Sequence, residues 1–284
     1  MSTLIPSYTL LRCSACSHVW LSNPPSADEL SRFYGPEYHQ AVSCAGEGDA
    51  ARWGGLLKTI QRYRTKGALL DIGCSTGGFL SHLSGGAWQL AGIELSAEAA
   101  ERARTNSGGQ IMTGSIGEVE FPPNSFDVIT CNDVLEHLHE PRIVFEKVAG
   151  WLKPDGIFYV FVPNVLSWEA RLFQSFWYGL DLPRHLHFFS PSSLNSLSSQ
   201  AGLETLRIAT PPGNYLEQST CRLLTWLVYK ATGSIHIIDM SGRVNPVLRV
   251  VRKGLRIVVG DGFGWVASMG RAGPSLQAVF QKRN

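Results

Sequence analysis

The stretch Leu69–Leu80 reads LLDIGCSTGGFL and decides the fold. A short apolar run ends in Asp71, glycines follow at Gly73 and Gly77, and an apolar helical pattern begins directly afterwards. This order of strand, tight turn and helix opens a nucleotide-binding α/β domain. The glycines let the backbone pass close to a ligand, and the helix N-terminus offers free N–H groups to it.

Two acids refine the type of nucleotide site. The next apolar run, Gln89–Ile93, ends in Glu94, and an acid at the tip of a second strand can accept hydrogen bonds from ribose hydroxyls. Asp71 stands before a turn of the form Asp-x-Gly-x-Ser-x-Gly-Gly, where a carboxylate would repel a pyrophosphate. The spacing therefore favours a cofactor with a cationic amine or sulfonium at this point.

A further polar strand end follows in Ser125–His137, which reads SFDVITCNDVLEH. The run predicts a strand that ends in Asn132 and Asp133, with a helical turn behind it. Ligands of open α/β sheets bind at the carboxyl ends of the strands, so both side chains are expected beside the ligand.

These motifs, DIGCSTGGF, GIEL and SFDVITCNDVLEHL, resemble those of class I S-adenosylmethionine (SAM)-dependent methyltransferases over roughly Leu69 to Ala209. The resemblance implies an α/β fold with a Rossmann-like, doubly wound sheet of seven strands. The implied strand order is 3-2-1-4-5-7-6, with strand 7 antiparallel. It also implies SAM as the cofactor and methyl transfer as the activity.

The resemblance also assigns the cofactor site. Asp71 and the turn at Gly73, Ser75 and Gly77 are expected to face the amino acid tail and the sulfonium, and Glu94 the ribose. The residues expected around the adenine or beside the reacting methyl group are Leu95, Ser115, Ile116, Asn132 and Asp133. Two positions depart from the common pattern. Ser75 replaces a middle glycine, and Ser115 replaces an aspartate that meets the adenine amino group in many relatives.

Two segments supply candidates for the acceptor side. Asp133, Glu136 and His137 share one face if the post-strand segment is helical, a run similar to the metal-binding run of ubiquinone-pathway O-methyltransferases. Those enzymes usually have Glu first, and many metal-free relatives carry Leu-Glu-His here, so no metal is expected. Trp177–Ser190 resembles the D-x-P-x-H stretch of a bacterial methyltransferase group, in which His185 is a candidate base for a hydroxyl acceptor. His185 and His137 are the catalytic candidates, with a structural role as the alternative.

Residues 1–66 precede the nucleotide fold and carry Cys13 and Cys16 at a metal-knuckle spacing. The segment resembles the zinc ribbon that the same bacterial group carries before its catalytic domain, but no second cysteine pair lies upstream. A tetrahedral zinc site needs four ligands. We therefore expect a degenerate ribbon kept as a packing hairpin, with zinc at Cys13, Cys16, His18 and Cys44 as the alternative.

Residues 67–210 and 275–284 are expected to form the SAM-binding domain, and residues 211–274 a long connection between strands 6 and 7. A structureless loop of that length is uncommon in a compact domain, so an insertion of helices is expected. Segment 246–259 is amphipathic, with four basic residues on one face. It is interpreted as a helical cap with a solvated basic face, or alternatively as a contact with a membrane surface, a partner or an anionic substrate.

Composition narrows the class of protein further. The 284 residues suggest one large domain or two small ones, and a hydrophobic fraction of 44% suffices for a buried core. A net charge of +2 gives no global basic field, so no nucleic-acid partner is expected. No secretory signal or membrane-spanning run is visible, and six scattered cysteines indicate reduced thiols. A cytoplasmic protein is expected, with peripheral membrane contact as a variant.

We therefore expect a SAM-dependent methyltransferase that acts on a small-molecule or glycan-type acceptor, with oxygen as the favoured acceptor atom. An NAD(P)-dependent oxidoreductase is the alternative enzyme, although Asp71 and the missing Gly-x-Gly-x-x-Gly disfavour it. A non-catalytic SAM-fold module that binds a partner or a membrane surface is the third hypothesis. The sequence identifies neither the acceptor nor the oligomeric state.

Overall fold

The computed structural model describes residues 8–34, 47–212, 215–232 and 272–283, and a seven-stranded sheet forms its centre. The strands of this sheet are β3 (Gly67–Ile72), β4 (Trp88–Glu94), β5 (Gln110–Thr113), β6 (Phe126–Asn132), β7 (Leu152–Pro163), β9 (Leu203–Ala209) and β10 (Ser275–Lys282). A separate three-stranded sheet contains β1 (Leu10–Arg12), β2 (Val19–Leu21) and β8 (His187–Phe188).

The strand order of the large sheet is β5-β4-β3-β6-β7-β10-β9, and β10 is antiparallel to both of its neighbours. Counted along this sheet alone, the order is 3-2-1-4-5-7-6, which is the order expected from the sequence. Because β3 is parallel to β4 and β6, the carboxyl ends of these three strands meet at one edge. That edge carries Asp71, Glu94 and Asn132.

Helices cover both faces of the sheet. They are α1 (Ala27–Ser31), α2 (Glu47–Ile60), α3 (Gly78–Leu83), α4 (Ala97–Ser107), α5 (Pro141–Trp151), α6 (Trp168–Phe173), α7 (Pro191–Gln200) and α8 (Leu216–Thr232). Successive strand residues point to opposite faces, so Leu69 packs with α2, α3 and α4, whereas Leu70 packs with α5 and α7. The two apolar layers hold the sheet rigid beneath its functional edge.

The helix starts follow from local sequence. Ser26, Ser96 and Ser190 each accept the backbone N–H three residues on, as N-cap residues do. Pro191 then occupies the first turn of α7, where its missing N–H costs nothing. Local sequence therefore accounts for the starts of these three helices.

The described part of segment 211–274 includes the 17-residue helix α8, so at least one helix lies in this connection. Segment 246–259 lies outside the described residues, and so does Cys44, the fourth ligand of the alternative zinc site. Both interpretations stay predictions. Within the described residues, no helix is long and apolar enough to cross a membrane.

Candidate active site

The turn between β3 and α3 adopts left-handed backbone at three positions. Gly73, Ser75 and Gly77 have φ values of 71°, 49° and 80°. A Cβ on Gly73 would lie only 2.4 Å from Cγ2 of Val134, so the turn is packed closely against the segment after β6. Ser75 therefore adopts a backbone conformation that favours glycine, and the turn keeps its shape with a strained serine backbone.

Glu94 ties this turn to the end of β4. Its two carboxylate oxygens accept the backbone N–H groups of Ser75 and Ser96, each at 2.9 Å. The side chain is buried. A carboxylate offers about four acceptor positions, so Glu94 can hold the turn and still accept hydrogen bonds from ribose hydroxyls.

Asp71 lies deeper than the other polar residues of the edge. It is 5% exposed, and its Oδ1 accepts the hydroxyl of Thr130 at 2.6 Å. Burial raises the pKa of Asp71 to about 7, although the Thr130 hydrogen bond and the nearby Arg52 charge oppose the rise. The Asp71 carboxyl is therefore only partly ionised at neutral pH. A cationic neighbour would increase the ionised fraction.

The expected adenine side presents uncovered apolar surface. Leu95 is 60% exposed directly after β4, although it is a large apolar side chain. Ser115 donates its hydroxyl hydrogen to Glu118 Oε2 at 2.7 Å, so only its oxygen lone pairs can meet an adenine amino group. Lys147 holds this loop by donating to the carbonyls of Gly117 and Val119.

Helix α2 adds a cation that the sequence interpretation missed. Arg52 pairs through Nη2 with Asp133 Oδ2, and its charge opposes the rise in the pKa of Asp71. The ring of Trp53 packs on Phe79 of α3, with centroids 5.6 Å apart. Helix α2 therefore lies across the cofactor turn and places a guanidinium at the sheet edge.

The prediction that Asp133, Glu136 and His137 share one face of a helix is wrong. Asp133 has a φ of 51° and is not helical, and the turn that follows is a 3-10 turn of Leu135–His137 only. The left-handed residue directs the Asp133 carboxylate to Arg52 instead. Asp133 therefore belongs to the cofactor side of the edge.

A different group forms on the acceptor side, because His185 joins Glu136 and His137. One ligand atom of each lies within 4.8 Å of the others. His137 Nδ1 bonds the carbonyl of Arg184 at 3.0 Å, and His185 Nδ1 bonds the carbonyl of Gly179 at 2.8 Å. A carbonyl can only accept, so both Nδ1 atoms carry the proton and both Nε2 atoms carry a lone pair.

Burial keeps this group uncharged. It lowers the pKa of His137 to about 4 and also lowers the pKa of His185, so both imidazoles are neutral at pH 7. Burial, helped by the charge of Asp133, raises the pKa of Glu136 well above its usual range. Neither oxygen of Glu136 has a hydrogen-bond partner among the described residues. The group could hold a divalent cation, and the expectation of no metal stays a prediction.

Tyr215 brings the start of the insertion to this edge. Burial raises the pKa of its hydroxyl, and so does the nearby charge of Asp133, while a hydrogen bond with Ser275 opposes the rise. Its ring lies 5.5 Å from that of Tyr178. An aromatic residue at a loop start carries no periodic signal, so the sequence could not identify it.

Comparison with known proteins agrees with this geometry. Residues 49–208 match a family model described as a methyltransferase domain. A ubiquinone biosynthesis O-methyltransferase of Idiomarina loihiensis is 32% identical over 153 residues, which cover 49% of this chain and 63% of that protein. One of Aromatoleum aromaticum is 31% identical over 165 residues, covering 53% and 69%. The chain thus spans slightly less than two thirds of the first of these relatives.

Solved structures share the fold. A chain from the complex of the Haloferax volcanii Trm112 methyltransferase activator with a methyltransferase has a TM-score of 0.57 and 16% identity, covering 92% of this chain and 100% of that one. Haemonchus contortus phosphoethanolamine N-methyltransferase 2, in complex with S-adenosyl-L-methionine, has a TM-score of 0.54 and 17% identity, covering 82% and 53%. The family match, the strand order and the turn between β3 and α3 agree: the chain belongs to the methyltransferase domain family.

Proposed function

We propose that this chain transfers a methyl group from SAM to a hydroxyl oxygen of a small-molecule or glycan-type acceptor. The observation that carries the proposal is the position of the neutral pair His137 and His185 beside the edge that holds the cofactor turn. Their ring centroids are 4.6 Å apart. The ubiquinone biosynthesis O-methyltransferases among the relatives support an oxygen acceptor.

The residues of the cofactor side fit SAM. Arg52 suits the carboxylate of its amino acid tail, and Glu94 suits the ribose hydroxyls. Leu95 offers an uncovered apolar surface to the adenine ring. The partly neutral Asp71 would gain negative charge beside a sulfonium or an ammonium group. When bound, SAM supplies a methyl group that is activated by the positive sulfur.

The histidine pair accounts for the acceptor side. The Nε2 lone pair of His185 is suited to take the proton of an acceptor hydroxyl, because Nδ1 is already fixed on the Gly179 carbonyl. Glu136, kept protonated by burial, can donate a hydrogen bond to a second oxygen of the acceptor. His137 completes the polar wall. Alignment of the two reactants supplies much of the rate in such a transfer.

The flanking segments are proposed to shape the acceptor pocket. Two observations support this: the charge of Asp133 acts on Tyr215 of segment 211–274, and β8 pairs with β2 of the N-terminal hairpin, which consists of β1 and β2. The division into an N-terminal extension of residues 1–66, a SAM-binding domain and a helical insertion stays part of the proposal.

The test is a methylation assay with SAM and two panels of hydroxyl compounds, phenols and nucleotide sugars. Release of S-adenosylhomocysteine and a product heavier by one CH2 would support the proposal. His185→Asn should lower kcat by about a hundredfold and leave the Kd of SAM within about twofold. Stabilisation of the fold by NAD but not by SAM would contradict the proposal.

A parallel assay with EDTA tests the metal question. We expect unchanged activity, because alignment of the methyl donor with the acceptor can supply much of the rate without a metal ion. Loss of activity with EDTA, with recovery on adding Mg²⁺ or Zn²⁺, would show that the expectation is wrong.

A further inference from the structure

The N-terminal hairpin lies beside the loop that carries His185, one of the three residues (Glu136, His137 and His185) of the acceptor group. Strand β2 pairs with β8, which begins two residues after His185. The backbone N–H of Leu21 donates to the carbonyl of Leu186 at 2.8 Å, and the N–H of Leu186 donates to the carbonyl of Glu136 at 2.7 Å. Leu186 therefore connects the hairpin on one side to the acceptor group on the other.

A pair of imidazoles closes the same contact. His18 Nε2 lies 3.0 Å from His187 Nδ1, and the two rings are inclined by 23° with their centroids 5.2 Å apart. His187 Nε2 bonds the carbonyl of His139, which can only accept, so the proton of His187 sits on Nε2. His187 Nδ1 is then a bare acceptor, and His18 Nε2–H must donate to it. His18 is thus the only group of the pair that supplies the connecting hydrogen.

The sequence around the pair adds further contacts between hairpin and domain. The hydroxyls of Ser190 and Ser192 donate to the carbonyl of Cys16 at 2.7 and 2.6 Å. His139, two residues after His137, bonds the carbonyl of Pro25 at 2.8 Å. The hairpin and the Pro25 that follows it therefore contact both segments that carry Glu136, His137 and His185, the one after β6 and the one before β8.

We propose that His18 is a positioning residue of the acceptor site, which acts through His187 and the β2–β8 pairing to hold His185 against Glu136 and His137. The expected change in kcat rests on the proposed function. The effect on the loop does not, because a loop that is held from one side only would let the His185 imidazole leave its alignment. Displacement of a catalytic group by about 1 Å can cost up to a hundredfold in rate.

Two substitutions of His18 separate its donor from its packing. His18→Phe keeps a flat ring that can pack on Phe189, as the His18 ring does, but has no N–H. His18→Gln loses the ring but keeps an amide N–H near the position of Nε2. His82→Phe is the matched control, because His82 is an exposed histidine on α3, away from the hairpin. All three are compared with the full-length wild type for thermal unfolding and SAM affinity.

The measurements are kcat and KM with an acceptor from the two panels, and backbone amide exchange of peptides that contain Glu136 and Leu186. We expect His18→Phe to lower kcat about tenfold and to speed exchange at both peptides, with the Kd of SAM unchanged. His18→Gln should recover most of kcat and of the protection. His82→Phe should match the wild type in every measurement.

Three results would overturn the proposal. The first is faster exchange in His18→Phe with kcat unchanged, which would mean that the hairpin only stabilises the fold. The second is equal loss of kcat in His18→Phe and His18→Gln, which would exclude the donor role. The third is unchanged exchange at Glu136 and Leu186. If the wild type methylates no acceptor, the proposed function fails, and the exchange result alone then decides whether His18 holds this loop.

Discussion

At the scale of single residues, Glu94 holds the cofactor turn, and we propose that the same side chain accepts the ribose hydroxyls. We expect Glu94→Ala to weaken SAM binding by at least tenfold, since two charge-assisted hydrogen bonds to the Ser75 and Ser96 N–H groups are lost with it. Isothermal titration calorimetry measures the effect. Glu98→Ala is the control, because Glu98 is exposed and pairs with Arg102 within α4.

Unchanged SAM affinity in Glu94→Ala would contradict the assignment of this acid. A second informative outcome is tighter binding of NAD than of SAM by the wild type. In that case the acid would belong to a dinucleotide site, and the methyltransferase mechanism would need to be abandoned.

Ser75 tests the strain in the cofactor turn. A left-handed φ of 49° costs a serine about 1 kcal/mol relative to glycine. We expect Ser75→Gly to raise the free energy of unfolding by up to about 1 kcal/mol in urea denaturation, without weakening SAM binding. Ser84→Gly is the opposite control, because Ser84 has a φ of −59° and gains nothing from glycine. Equal effects in both variants would show that the strain is not local to Ser75.

At the scale of elements, helix α2 shows what sequence patterns miss and why. Trp53, Leu56 and Ile60 recur at helical spacing, so the pattern was available, but it lies outside the family motifs. Nothing in that pattern indicates that Arg52 points to Asp133. The pairing depends on how α2 crosses the sheet edge, which is a tertiary property.

The hairpin gives the next prediction. The Cys16 carbonyl, and not its thiol, accepts the hydroxyls of Ser190 and Ser192. We therefore expect Cys16→Ser to change the free energy of unfolding by less than about 0.5 kcal/mol. Ser190→Ala should cost about 1 to 2 kcal/mol, because the fully buried Ser190 both caps α7 and makes this bond.

Urea denaturation of the two variants distinguishes a packing hairpin from a zinc ribbon. If Cys16→Ser costs as much as Ser190→Ala, the thiol itself holds the hairpin, and the zinc alternative with Cys13, His18 and Cys44 gains support. Metal analysis of the purified wild type then decides between zinc and another role of the thiol.

For the whole molecule, the fold was predictable and the acceptor site only partly so. Most strand bounds follow from apolar runs and polar strand ends, which are local signals, whereas the strand order was implied by the family resemblance. The joining of His185 to Glu136 and His137 depends on a loop from a distant segment, so spacing along one helix misassigned Asp133. The contribution of Tyr215 and the pairing of β2 with β8 are equally non-local.

The pH dependence of stability belongs to this scale, because buried acids and buried histidines oppose each other. Burial lowers the pKa of His18 and His137 to about 4, so the fold loses stability as the pH falls from 6.5 towards 4. Burial raises the pKa of Asp71 to about 7 and that of Glu169 to about 8. These acids ionise first in the unfolded chain, so they reduce stability as the pH rises.

Glu169 isolates the alkaline half of this balance. It is 1% exposed in α6, and its Oε2 has no hydrogen-bond partner among the described residues. Glu169→Gln keeps the shape of the side chain, but glutamine does not ionise. The unfolded variant therefore gains nothing from the loss of a proton as the pH rises. We therefore expect the variant to gain stability relative to the wild type between pH 4.5 and about pH 8, by on the order of 5 kcal/mol. Urea denaturation across this range, with the exposed Glu98→Gln as control, measures the gain; a difference that does not grow with pH would mean that Glu169 ionises within the fold.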